Sequence, residues 1–181
     1  MDNSTAIEIK SIQVKEHYHL VAELMRGLHE SEQEMFNKAA NWSDIAESYM
    51  RYIIETQEEN EGTCLIAYVN DEIAGFIFGY AEDPDDSRIE ESFSKELYIS
   101  DGYVVHAFRR MGIYRMLNSE IERMYIANSV RRISRFTLVT NKRMQQFLEE
   151  EGYRVVRLLY EKWLDDTGEA TIELKLTPPK E

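Results

Sequence analysis

The sequence predicts a mixed α/β (α+β) protein built as one domain over residues 1–181, its elements in the order β-α-α-β-β-β-α-β-α-β-β. Three observations carry this prediction. Four stretches place apolar residues at helical spacing, while the runs between them are short and rich in β-branched and aromatic residues. Glycine (8) and proline (3) are scarce, which argues against disorder or low complexity. The chain, 43% hydrophobic and 30% charged, is long enough to bury one core, and no repeat or linker divides it.

Residues 7–13 alternate at first and open the chain as a strand. Over residues 14–30, Leu20, Val21, Leu24, Met25 and Leu28 recur on one helical stripe. A second helix starts near Ser43 or Asp44, both suited to cap it, with Ile45, Tyr49, Met50, Ile53 and Ile54 inward. Residues 63–69 and 73–80 are β-formers joined by Asn70-Asp71-Glu72, the chemistry of a hairpin turn. Residues 82–91 form an acidic loop. A strand with its apolar core at residues 98–105 leads into a helix over 110–128, whose Ile113, Leu117, Ile121, Met124 and Tyr125 share a face. Residues 133–139 read as a strand and 141–150 as a short helix that Gly152 ends in a left-handed cap. Two further strands, 153–164 and 171–177, close the chain.

The net charge of −13 disfavours nucleic acid and anionic membranes as partners. No stretch approaches about 18 consecutive apolar residues, and the N-terminus carries no signal-like apolar region. The single cysteine, Cys64, excludes an internal disulfide, and with these features it points to the cytoplasm. His17, His19 and His29 lack metal-ligand spacing, so no metal is expected. Against the acidic background, residues 109–143 hold nine basic residues opposed only by Glu120 and Glu122. Such a concentration of cations is either a solvated face or an anion site.

What favours an anion site is the segment that opens this window. A strand runs into a short basic turn, Arg109-Arg110-Met111-Gly112, and a helix starts at once. The first amides of a helix have no acceptor within it, the helix dipole adds partial positive charge there, and glycine admits close approach of a ligand. The alternative is a glycine that merely eases a tight turn.

Arg109-Arg110-Met111-Gly112-Ile113-Tyr114 resembles the Arg/Gln-x-x-Gly-x-Gly/Ala loop of the GNAT (Gcn5-related) N-acetyltransferases. Residues 141–153, an Asn opening a short helix that ends in Gly-Tyr, are similar to that family's second signature, and the order of elements fits along nearly the whole chain. The resemblance implies a mixed, mostly antiparallel sheet of six to seven strands flanked by about four helices. It also implies a central parallel strand pair, residues 98–105 and 133–139, splayed to form a cleft for acetyl-CoA. Val104 and Val105 would pair with the pantetheine arm. Arg109, Arg110, Met111, Gly112, Ile113, Tyr114 and Arg115 would cradle the diphosphate. Asn141 would bond the pantetheine, and Phe147 and Leu148 would line the thiol end. The implied activity is direct transfer of an acetyl group to a primary amine, on a small molecule or a peptide; the alternative is a non-catalytic acyl-CoA-binding member. Many relatives dimerise, so a homodimer is expected by analogy.

Three positions depart from the pattern. Tyr114 replaces the loop's last Gly/Ala. Leu148 stands where many members place a tyrosine as thiolate acid. Ser100 stands where polyamine-acetylating relatives use a glutamate, and in a regular strand the adjacent Asp101 would face the opposite side of the sheet. Asp101, Tyr103 and His106 are therefore the candidate catalytic groups. Among the remaining residues, Cys64 reads as inert core. Tyr49, Tyr52, Phe76, Phe78, Tyr80 and Tyr103 are either core or the lining of an acceptor pocket.

Overall fold

The structure, a computed structural model, describes residues 6–83 and 95–163. The chain divides into two units, Met1–Gln145 and Gln146–Glu181. In the first unit, β1 (Ile7–Ile12), β2 (Thr63–Val69), β3 (Glu72–Glu82), β4 (Glu96–Val104) and β5 (Ile133–Ser134) form one five-stranded sheet in chain order. The first three pairings are antiparallel. β4 and β5 are parallel and share only the pairs Leu97 with Ile133 and Tyr98 with Ser134.

Period-two alternation in the strands splits the core in two. On one face Leu65, Ala67, Ile77, Leu97 and Ile99 meet Ile113, Leu117, Ile121 and Tyr125 of α3 (Ile113–Ala127). On the other, Cys64, Ile66, Phe76 and Phe78 meet Val21, Leu24 and Met25 of α1 (Tyr18–Gln33) and Met50 and Ile53 of α2 (Trp42–Glu59). Cys64 is thus core, its thiol pushed up to about 12 by burial, as befits an inert side chain.

One irregularity governs the rest. Phe78 pairs with Asp101 and Gly79 with Ile99, so Ser100 is an extra residue on β4. Such a bulge re-aims the side chains beyond it. Asp101, which regular alternation would put on the α3 face with Ile99, points instead toward α2.

Several predicted elements need correction. Residues 14–17 form turns, and α1 begins at Tyr18. The helix predicted from Arg110 starts at Ile113, because Arg110 (φ 70°) and Gly112 (φ 77°) are left-handed. Of the strand predicted over 133–139, only Ile133 and Ser134 join the ladder. In the second unit, residues 153–163 form no strand: Val155, Val156, Leu159 and Tyr160 have the composition for one, but no paired neighbour among the described residues. The described sheet therefore has five strands rather than six to seven. The strand expected over 171–177 and most of the acidic loop at 82–91 lie outside the described residues. α4 (Lys142–Glu150) belongs to the first unit by its opening turn and to the second by the remainder. Among the described residues no helix is long and apolar enough to cross a membrane.

Candidate active site

β4 ends at Val104, a 3-10 turn follows at His106–Phe108, and the basic turn then delivers the chain to α3. Gly112 is the N-cap and no side chain caps the helix. The first intrahelical bond runs from the Met116 amide to the Gly112 carbonyl at 3.1 Å, so the amides of Ile113, Tyr114 and Arg115 precede the ladder. A side chain at Gly112 would meet nothing within 4 Å, and Arg109, Arg110, Met111, Gly112 and Arg115 are all exposed. An uncapped, exposed helix N-terminus with Arg109 and Arg110 before it and Arg115 in its first turn suits a diphosphate. Arg110 holds a positive φ without being glycine, a conformation that costs energy and that tight functional loops retain.

The neighbouring groups are differently disposed. Arg109 folds back, its Nε donating to the Val104 carbonyl at 3.1 Å and its guanidinium lying 5.6 Å from the centre of the Tyr103 ring. The Val105 amide donates to Ala74 on the β3 side, at 2.9 Å. Beyond Tyr98, the outer edge of β4 has left the β5 ladder. Tyr103 packs its ring against Gly27 of α1, and His106 is exposed on the turn. Asn141 uses Oδ1 to accept the Met144 amide at 3.1 Å, capping α4. Phe147 and Leu148 stand on the part of α4 that belongs to the second unit.

Asp101 is the buried centre of a polar cluster. Tyr49 on α2 donates its hydroxyl to Oδ1 at 2.5 Å, and Ser100 donates to Oδ2 at 2.5 Å. Burial raises the Asp101 carboxyl above its usual range, and the two hydroxyl bonds pull it part of the way back. Glu32, near the end of α1, is also raised, by burial and then by the charge of Asp101. Ser100 and Tyr49 are only half-buried, whereas the Asp101 carboxylate that accepts from both is buried. Around the cluster rings follow one another: Trp42 and Tyr49 at 6.2 Å, Tyr80 and Tyr98 at 5.4 Å, and Tyr98 and Phe136 at 5.9 Å. Tyr52 and Tyr80 share a hydroxyl bond of 2.9 Å. Phe76 and Phe78 are fully buried core.

The structure thus brings Asp101 together with Ser100 and Tyr49, while Tyr103 packs against α1 and His106 lies exposed on the turn. Sequence reasoning did not single out Glu32, Tyr98 or Arg135. Glu32 had a signal: it continues the stripe Val21, Leu24, Leu28, where an apolar residue belongs.

A family model described as the acetyltransferase (GNAT) family matches residues 23–153. No curated protein matches the chain in sequence. Solved structures do resemble it. A variant of the BH1408 protein from Bacillus halodurans is 24% identical with a TM-score of 0.71, over 87% of this chain and 99% of that one. A putative acetyl transferase from Pyrococcus furiosus is 20% identical with a TM-score of 0.68, over 88% and 100%. The aminoglycoside N-acetyltransferase AAC(6')-Iy in complex with CoA is 16% identical with a TM-score of 0.64, over 91% and 99%.

Proposed function

The chain belongs to the GNAT acetyltransferase family, and on that footing we propose that it transfers the acetyl group of acetyl-CoA to a primary amine on a small molecule. The observation that carries this reading is the uncapped start of α3 at Gly112, with three exposed arginines around it. Those amides and guanidinium groups bind the diphosphate. The open outer edge of β4 between Tyr98 and Val104 receives the pantetheine arm, with Arg109 releasing the Val104 carbonyl to it. The donor supplies an activated thioester. The amine nitrogen bonds the acetyl carbon, the C–S bond breaks, and the proton lost by the amine must find a base.

Asp101 fills that role through Ser100. The bulge places the Ser100 hydroxyl in front of the carboxylate, at the position where relatives' glutamate is expected, so the proton passes from amine to Ser100 and from Ser100 to Asp101. A carboxyl held above its ordinary range by burial is better matched to neutral pH than an exposed one. Tyr49 holds the other oxygen in place. The aromatic rings of Trp42, Tyr98 and Phe136, joined to the cluster through Tyr49 and Tyr80, favour a cationic acceptor. The AAC(6')-Iy likeness supports a small-molecule amine.

The test is calorimetric titration with acetyl-CoA followed by thiol release against a panel of diamines, aminoglycosides and peptide amines. Binding plus turnover on a small amine is the expected result. No binding of acetyl-CoA overturns the reading. Binding without turnover on any amine replaces it with a non-catalytic acyl-CoA-binding protein, the outcome that Leu148 in place of a thiolate acid would explain.

A further inference from the structure

The loop residue that departs from the family pattern is also the residue that fills the fork between β4 and the chain leaving β5. Tyr114, in the first turn of α3, packs its ring against Gly102 on β4. A Cβ at Gly102 would come within 2.8 Å of that ring, so the absence of a side chain there is what admits it. The Tyr114 hydroxyl, on the same edge of the ring, bonds the Arg135 guanidinium at 2.6 Å, and the guanidinium lies 5.7 Å from the centre of the ring. Arg135 is the first residue past the β4–β5 ladder, which stops at Ser134. Its other terminal nitrogen donates to Asn118 Oδ1 on α3 at 2.8 Å, and Asn118 in turn donates to Glu122 at 2.7 Å. The next residue, Phe136, meets the Tyr98 ring edge-to-face on the opposite face of the sheet. The departing chain is therefore pinned on both faces at the point where pairing ends.

We propose that Tyr114 is a positioning residue: a wedge that holds residues 135–136 away from β4 and so fixes the width of the slot that takes the pantetheine arm. The proposal rests on the acetyl-CoA reading above. A strand with β-forming neighbours such as Phe136, Thr137 and Val139 would otherwise extend the parallel ladder along β4 and close that edge. The ring is rigid, its outer edge abuts β4 at Gly102, and a charge-assisted bond from its hydroxyl ties it to Arg135. The tyrosine in place of Gly/Ala is on this view a part of the slot, with the backbone amide of the same residue still aimed at the diphosphate.

The wedge separates two portions of one ligand, and the experiment exploits this. Binding of CoA and of adenosine 3'-phosphate 5'-diphosphate, which keeps the diphosphate and lacks the arm, is measured by calorimetry on the wild type, Tyr114→Phe, Tyr114→Ala and Gly102→Ala. Tyr114→Ala should weaken CoA roughly tenfold and leave the arm-free nucleotide unchanged, because only the arm occupies the slot. Tyr114→Phe keeps the ring and loses the Arg135 bond, and should fall between. Gly102→Ala should weaken CoA in the wild-type background and far less in Tyr114→Ala, where its Cβ has room. Melting temperatures identify any variant that fails to fold, and Tyr114→Phe, a deletion of one oxygen, then carries the test. Equal CoA affinity in the wild type and both Tyr114 variants overturns the wedge while leaving CoA binding intact. Parallel loss of CoA and of the arm-free nucleotide also overturns it, by assigning Tyr114 to the diphosphate loop alone. A wild type that binds neither ligand removes the acetyl-CoA reading itself.

Discussion

Ser100 and Asp101 are sequence neighbours whose side chains share one face of the sheet, the hydroxyl of the first donating to Oδ2 of the second at 2.5 Å. In a regular strand they would lie on opposite faces. The bulge that joins them turns two unremarkable residues into a hydroxyl backed by a buried carboxylate, with Tyr49 closing the other oxygen.

The first prediction concerns Asp101. Burial raises its pKa in the folded protein above the ordinary value of 3.8. The carboxyl therefore favours the folded state below that value, and the contribution is lost as pH rises through the raised one. Asp101→Asn, neutral at every pH, should gain stability over the wild type as pH increases, followed by thermal melts across a pH series. The same variant should lose about 10²-fold or more in kcat for amine acetylation. A stability difference that shrinks with rising pH would contradict the assignment.

Tyr49→Phe isolates one bond. The Tyr49 hydroxyl holds the Asp101 pKa down, against the larger upward push of burial. Removing it should raise that pKa further, so the acid limb of the kcat–pH profile moves to higher pH. Stability should fall by about 1 kcal/mol, the worth of one hydrogen bond. A pH profile identical to that of the wild type would exclude coupling between the two residues.

At Gly112 backbone and ligand make separate demands. With φ at 77° and open space around the site, Gly112→Ala meets no clash but adopts a conformation that costs an L-residue about 1–2 kcal/mol. A melt should show that loss, and acetyl-CoA affinity should fall as the loop relaxes away from the left-handed geometry. Gly112→Asp, which adds a negative side chain where phosphate is expected, should abolish binding.

Arg132 tests the junction of β4 and β5. Its guanidinium bonds Glu96, a buried carboxylate on β4, at 2.9 Å, and its carbonyl accepts the Leu97 amide at 3.0 Å. Arg132→Ala takes this cation from a buried charge and should destabilise by about 3 kcal/mol in denaturant unfolding, with Arg132→Lys recovering part of it. An Arg132→Ala loss below about 1 kcal/mol, the range of exposed pairs, would mean that the pair is effectively solvated.

The helices, the first four strands and the basic glycine turn before α3 were legible from the residues alone. The stripe of Leu117 and Ile121, the hairpin at Asn70-Asp71 and the glycine before a helix are local patterns, and local patterns survive in one dimension. Tertiary pairing alone decided the bulge at Ser100, since an extra residue shows only against the register of a partner strand, and with it the face that Asp101 occupies. Tertiary structure also cut β5 to two residues, because β-propensity creates no strand without a ladder to join. The same holds for Tyr114, Gly102 and Arg135, distant in sequence, whose fit depends on how closely α3 approaches β4.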